Sequence, residues 1–189
     1  MALILKNAIY IDWETLDFKS THIIVPEQET QALIFTDNPD EYEKTGNAQI
    51  IDCKGKFVTK SFAVGHHHVY SALSRGMPAP PKQPRNFREI LQYIWWNLDK
   101  ALDKETIEAS AMATAIACAK AGATFVIDHH ASPGYIDGSL EIIAKVFEKA
   151  GINHLLCYEI SDRDGSEKSV LGLIENERHL QQHQGLVGL

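Results

Sequence analysis

Apolar residues follow two different rhythms along this chain. Over residues 1–58 they form short runs: LILKNAIYID (3–12), STHIIVPE (20–27), QALIFTD (31–37) and QIIDCKGKFV (49–58). Segments rich in Asp, Asn, Pro and Gly separate them. β-Branched and aromatic runs bounded by turn formers predict strands, so this part reads as a piece of a small β-sandwich. From residue 59 the pattern changes. SFAVGHHH (61–68) suits a buried strand, and a Pro- and Gly-rich loop follows it (74–86). NFREILQYIWWNLDKAL (86–102) predicts a helix with Phe87, Ile90, Leu91, Ile94 and Leu98 on one face. Asp103 is placed to cap a second, Ala-rich helix over 104–121 that Gly122 ends. ATFVIDHH (123–130) predicts a strand. SLEIIAKVFEKAG (139–151) predicts an amphipathic helix, capped by Ser139 and stopped by Gly151. INHLLCYEI (152–160) is a further strand, 166–184 a polar helix, and GLVGL (185–189) the start of one more strand.

Alternating strands and helices predict βαβ units and a parallel sheet. The expected class is α/β, with residues 1–58 as sandwich and 59–189 as the α/β part. In parallel sheets chemistry gathers at the C-terminal strand ends. Here those ends carry His66-His67-His68, Asp128-His129-His130 and Glu159 through Arg163. Side chains alternate across a strand, so His66 and His68 share a face and His67 points away. Two imidazoles on one face can hold one divalent ion; zinc, iron and nickel all accept them. A catalytic zinc ion needs a third protein ligand and an open position for water. The pair is therefore half a site. His67 is expected to be structural or to support a ligand. One of His129 and His130 should face the site, and the other should pack beneath it. Glu159 is a candidate acid/base or orienting group, with capping or a salt bridge to Arg163 as the alternative. Trp95 and Trp96 read as helix packing. His22, His154, His179 and His183 have no supporting context and read as surface or structural.

Composition narrows the classes. The 189 residues are 44% hydrophobic and 23% charged, with a formal net charge of -7 and no basic stripe, so nucleic acid is not expected as a partner. Cys53, Cys118 and Cys157 are far apart and form no CxxC, so neither a disulfide framework nor a cysteine zinc knuckle is expected. Each sits in an apolar context and reads as a buried thiol of a reducing compartment. No basic and apolar leader pattern is visible, and no apolar run reaches the ~20 residues of a membrane span. The expected location is the cytoplasm.

The segment IIDCKGKFVTKSFAVGHHHVYSALSRGM (50–77) resembles the amidohydrolase superfamily: a sandwich strand, an aspartate, a GK turn and a strand ending in HxH. HVYSALSRGM, GATFVIDHHASP and CYEISDRDG together resemble the SsnA-type aminohydrolases, near the chlorohydrolase and cytosine/guanine deaminase branch. The resemblance implies a (β/α)8 barrel carrying a small sandwich, of which this chain would hold about four βα units. It implies that His66 and His68 match the first two metal ligands. It also implies a bound metal, zinc or iron in this branch, that activates water for attack at a C–N bond of a small nitrogen-containing substrate. Two positions depart from the pattern. Lys60-Ser61 replaces the usual Pro-Gly, and His67 stands where a small polar residue is usual. The family's later ligands, histidines after the fifth and sixth strands and an aspartate after the eighth, have no matching positions here. The expectation is thus the N-terminal portion of a metal-dependent amidohydrolase. The alternative is a short, non-catalytic metal-binding or self-associating module. Half a barrel leaves open sheet edges, so a homo-oligomer is expected.

Overall fold

A computed structural model describes residues 2–28, 31–44, 46 and 48–183. The chain divides into two compact units, Met1–Lys60 and Ser61–Leu189. The fold is mixed α/β.

In the first unit, β1 (Ala2–Ile11) is the centre of a five-stranded sheet. It pairs antiparallel with β2 (Phe18–Val25), which pairs with β3 (Ile34–Thr36). On its other side β1 runs parallel to β4 (Ala48–Asp52) and then to β5 (Phe57–Val58). The run 49–58, expected as one strand, is thus two. Between them Lys54 and Gly55 take positive φ values of 50° and 74°, a turn that an extended strand cannot contain. A short helix, α1 (Asp40–Glu43), occupies the acidic segment expected to be a turn. Ala8, Tyr10, Ile23 and Cys53 form the core of this unit.

The second unit is built on three parallel strands in the order β6-β7-β8: Phe62–His67, Ala123–His130 and Asn153–Tyr158. The connection from β6 to β7 holds α2 (Phe87–Ile90), a π-helical turn (Leu91–Trp95), α3 (Trp96–Lys100) and α4 (Lys104–Ala121). α5 (Ser139–Lys149) joins β7 to β8, and α6 (Ser166–Gln182) follows. The strand expected at 185–189 lies outside the described residues.

Local capping decides α4. The Asp103 side chain accepts from the Thr106 backbone N–H at 2.9 Å, and the Thr106 hydroxyl accepts from the Asp103 N–H, a reciprocal cap. Gly122 ends the helix at φ 72°, in the left-handed region that glycine enters without strain. α5 differs from expectation. Ser139 is its first residue rather than its cap, and the Ser139 hydroxyl is buried without a hydrogen-bond partner. The cap comes from α6 instead. The Glu175 carboxylate, 1% exposed, accepts the N–H groups of Leu140 (2.9 Å) and Gly138 (3.0 Å) and is clamped by Arg178.

The two faces of this sheet differ. Val126, Asp128 and His130 on β7, and His154, Leu156 and Tyr158 on β8, point into the helix layer and are buried. They pack with Ile107, Ala111, Leu140, Ile143 and Phe147. Residues at alternate positions point to the other face, as strand geometry requires. Cys157 is one of these. It is exposed, not buried as its apolar neighbours suggest, because the described residues do not cover that face over it. Phe62, at the start of β6 and beside the end of α4, is 66% exposed.

Candidate metal centre

The C-terminal ends of β6 and β7 bring the histidine clusters together. His66 and His68 lie on the same side of β6, and their Nε2 atoms are 3.1 Å apart. His68 Nδ1 is 3.0 Å from the backbone carbonyl of His129. A carbonyl only accepts, so Nδ1 carries the proton and Nε2 keeps its lone pair. That is the tautomer a metal ligand needs, held by a backbone group as outer ligand partners often are. The pair thus fits a divalent ion, which would displace the proton the two nitrogens share. Among the described residues no third His, Cys, Asp or Glu joins them to make a compact group of three donors.

The other predicted residues separate by strand alternation. His67 points into the helix layer, where its Nε2 lies 3.2 Å from the Thr114 hydroxyl on α4. Burial lowers its pKa. His129 stands beside His68, with ring centroids 5.4 Å apart, and faces the cavity. Burial lowers its pKa as well, against the opposing pull of Glu159. His130 lies beneath, fully buried, with Nε2 2.9 Å from the Ser132 hydroxyl. Burial holds its pKa down to about 3, so it is neutral. Asp128 is also fully buried; its Oδ1 accepts the Val69 N–H at 2.6 Å, and burial raises its pKa to about 7.

A cavity of about 410 Å³ opens beside the two histidines. Tyr70, Leu91, Trp95 and Trp96 form much of its wall, with Asp99, His129 and Glu159 as polar groups. Trp95 packs against the buried core, as expected of a packing residue, and both tryptophans also line this space. The π turn at Leu91–Trp95 is the reason: a wider turn shifts the residues that follow it around the helix axis. Trp95 lies 5.7 Å from the His68 ring, and the Arg163 guanidinium sits 5.5 Å from the Trp96 ring centroid. Phe87, expected on the packed face, is 71% exposed at the cavity mouth.

Glu159 follows β8 directly. Arg163 Nε donates to its Oε1 at 2.8 Å, and Arg163 Nη2 donates to Asp99 Oδ2 at 2.6 Å. The salt bridge weighed from sequence is present, and it leaves Glu159 on the cavity wall. Burial pushes the Asp99 carboxyl up against the opposing pull of Arg163. Sequence reasoning missed Asp99, Tyr70 and both tryptophans. Their positions depend on the loop and the π turn, which no period in the sequence reports.

No protein-family model matches the chain. A curated relative, 5-methylthioadenosine/S-adenosylhomocysteine deaminase from Thermococcus sibiricus, is 23% identical over 175 residues, 93% of this chain and 37% of the relative. The chain thus spans little more than a third of that relative's length. Among solved structures, a variant of the atrazine chlorohydrolase of Arthrobacter aurescens, complexed with zinc and atraton, matches with a TM-score of 0.62 at 16% identity. That match covers 82% of this chain and 35% of the other. Guanine deaminase from C. acetobutylicum with bound guanine matches with a TM-score of 0.65 at 17% identity, over 98% of this chain and 43% of the other. None of the described helices is long and apolar enough to cross a membrane. In sequence and in fold, the chain resembles the N-terminal portion of amidohydrolase-superfamily proteins of the deaminase and chlorohydrolase branch.

Proposed function

We propose that this chain is the N-terminal portion of a metal-dependent hydrolase of C–N bonds, of the deaminase or aminohydrolase type. In this reading β6, β7 and β8 begin a (β/α)8 barrel of which the chain supplies about four units, residues 59–189. Residues 1–58 are part of its sandwich. The observation that carries the reading is the convergence of His66 and His68 Nε2 at 3.1 Å, in the ligating tautomer, on the wall of a cavity. Zinc is the preferred ion, with iron and nickel as alternatives. Once bound, it supplies a water of lowered pKa and polarises the substrate. The chain's own residues do the rest. Trp95 and Trp96 offer flat faces on which a planar nitrogen heterocycle can stack. Glu159, anchored by Arg163, holds a carboxylate where a substrate N–H or amidinium can donate to it. His129 fixes His68 through its carbonyl. The remaining ligands come from residues outside this chain.

A solution homo-oligomer fits the uncovered sheet face, where Cys157 is exposed. The cytoplasm fits three cysteines without a disulfide. In the complete polypeptide carrying this segment, His66→Ala and His68→Ala should each abolish ammonia release from aminated heterocycles and lower the bound metal. Retained turnover with unchanged metal content overturns the proposal.

A further inference from the structure

A second group of histidines and glutamates lies on the opposite face of the β6-β7-β8 sheet, in the helix layer. His154 enters it from near the start of β8, about 13 Å along the strand from Tyr158 at its other end. α5 contributes Glu141 and Glu148, and α6 contributes His179, with His183 one turn further on. His183 is the hub. Its Nε2 is 2.8 Å from Glu141 Oε2, and its Nδ1 is 3.3 Å from Glu148 Oε1. The rings of His179 and His183 stand 4.4 Å apart. Glu141, His179 and His183 each bring one donor atom within 4.8 Å of the others, and so do Glu148, His154 and His183.

An independent observation points to a ligand. His154 is 2% exposed, yet neither of its ring nitrogens has a hydrogen-bond partner. His179 is 4% exposed, and its Nδ1 also lacks one. Buried polar atoms are nearly always paired, and clustered exceptions ask for a water or an ion. Burial lowers the pKa of His154 and, with the neighbouring histidines, holds His179 down to about 4. Both rings are therefore neutral near pH 7, the form that ligates metal.

We propose that Glu141, His179 and His183 bind a zinc ion through His183 Nε2, with water as the fourth ligand, while Glu148 holds the other ring nitrogen of His183 and the His154 ring lies beside the site. Imidazole and carboxylate donors in a tetrahedron suit zinc, with bonds of about 2.0–2.2 Å and donor atoms therefore about 3.3 Å apart. Two histidines four residues apart on one helical turn present both rings to a single ion. In the metal-free chain, a proton on His183 Nε2 satisfies Glu141. Zinc takes the place of that proton, and the neutral ring keeps its one proton on Nδ1, where it donates to Glu148. The ion ties α6 to α5, so its role is structural. The site stands apart from the proposed hydrolytic centre and does not depend on it.

The experiment uses this chain with His66→Ala and His68→Ala, so that the other pair cannot contribute. The protein is stripped with a chelator and titrated with zinc sulfate near pH 7, with calorimetry and Tm as readouts. One zinc per chain and a rise in Tm are expected. Changing a group that only supports a ligand costs 10–100-fold in affinity, so losing a ligand through His183→Ala or Glu141→Gln should cost at least about 100-fold. Cobalt in place of zinc should give the visible absorption of a tetrahedral nitrogen and oxygen site, lost in both variants. Circular dichroism checks folding; if His183→Ala does not fold, Glu141→Gln decides. Absence of zinc binding overturns the inference. So does a bound zinc whose affinity and cobalt spectrum neither variant changes.

Discussion

Glu175 and Ser139 make opposite predictions for the start of α5. The sequence places a serine where a helix cap is usual, and loss of a serine cap costs about 0.5–2 kcal/mol. In the structure the Ser139 hydroxyl caps nothing and is buried without a partner. Ser139→Ala should therefore change stability by less than about 0.5 kcal/mol, or raise it, because an unpaired buried hydroxyl is removed. Glu175 carries the cap from α6. Its carboxylate accepts two backbone N–H groups at 2.9 and 3.0 Å and two Arg178 nitrogens within 3.1 Å. Glu175→Gln keeps the volume but turns one acceptor into a donor facing an N–H. One charge-assisted hydrogen bond is worth about 1.5–3 kcal/mol, and the lost charge at the helix N-terminus adds about 0.3–1 kcal/mol. Arg178 is part-exposed, so water softens the loss of its partner. The expected cost is about 2–4 kcal/mol. Urea unfolding followed at 222 nm measures it, because nearly all helix lies in the second unit. With a slope near 2 kcal/mol/M, the midpoint should fall by more than about 1 M. A Ser139→Ala cost above about 1 kcal/mol, together with a Glu175→Gln cost below about 0.5 kcal/mol, would refute the assignment.

Three further outcomes are expected. Asp128 has a folded pKa of about 7 against an ordinary 3.8, chiefly through burial. Its contribution to stability is full below pH ~4 and is lost as pH rises through about 7, a span of up to about 4 kcal/mol. Asp128→Asn should remove that slope and gain on the native chain above pH 7; an unchanged pH profile from unfolding curves would count against it. A Cβ on Gly172 would lie 3.0 Å from the Glu159 carbonyl and 3.1 Å from the Tyr158 ring. Gly172→Ala should cost about 1–3 kcal/mol by overpacking, read as a fall in urea midpoint. Asp103→Ala removes the reciprocal cap of α4 and should cost about 1 kcal/mol; no shift in Tm would show that the cap contributes nothing.

The sequence by itself determined what depends on near neighbours. Period-2 and period-3.6 patterns located the strands ending in His66–His68 and in His129–His130, and the helices between them. Asp103 and Gly122 marked the ends of α4, because a cap is made within one turn. Alternation along β6 alone put His66 and His68 on one face. Tertiary structure decided whatever depends on residues far apart in the chain. The cap of α5 comes from Glu175, 35 residues beyond Leu140, so Ser139 was a false signal. A π turn, invisible to any period, carried Trp95 and Trp96 into the cavity. His154, His179 and His183 looked unsupported because Glu141, Glu148 and the β8 histidine sit on elements other than α6. Packing α5 and α6 against β8 made them one cluster. Local backbone and side-chain periodicity is written in the order of residues; the meeting of surfaces is set by how the elements pack.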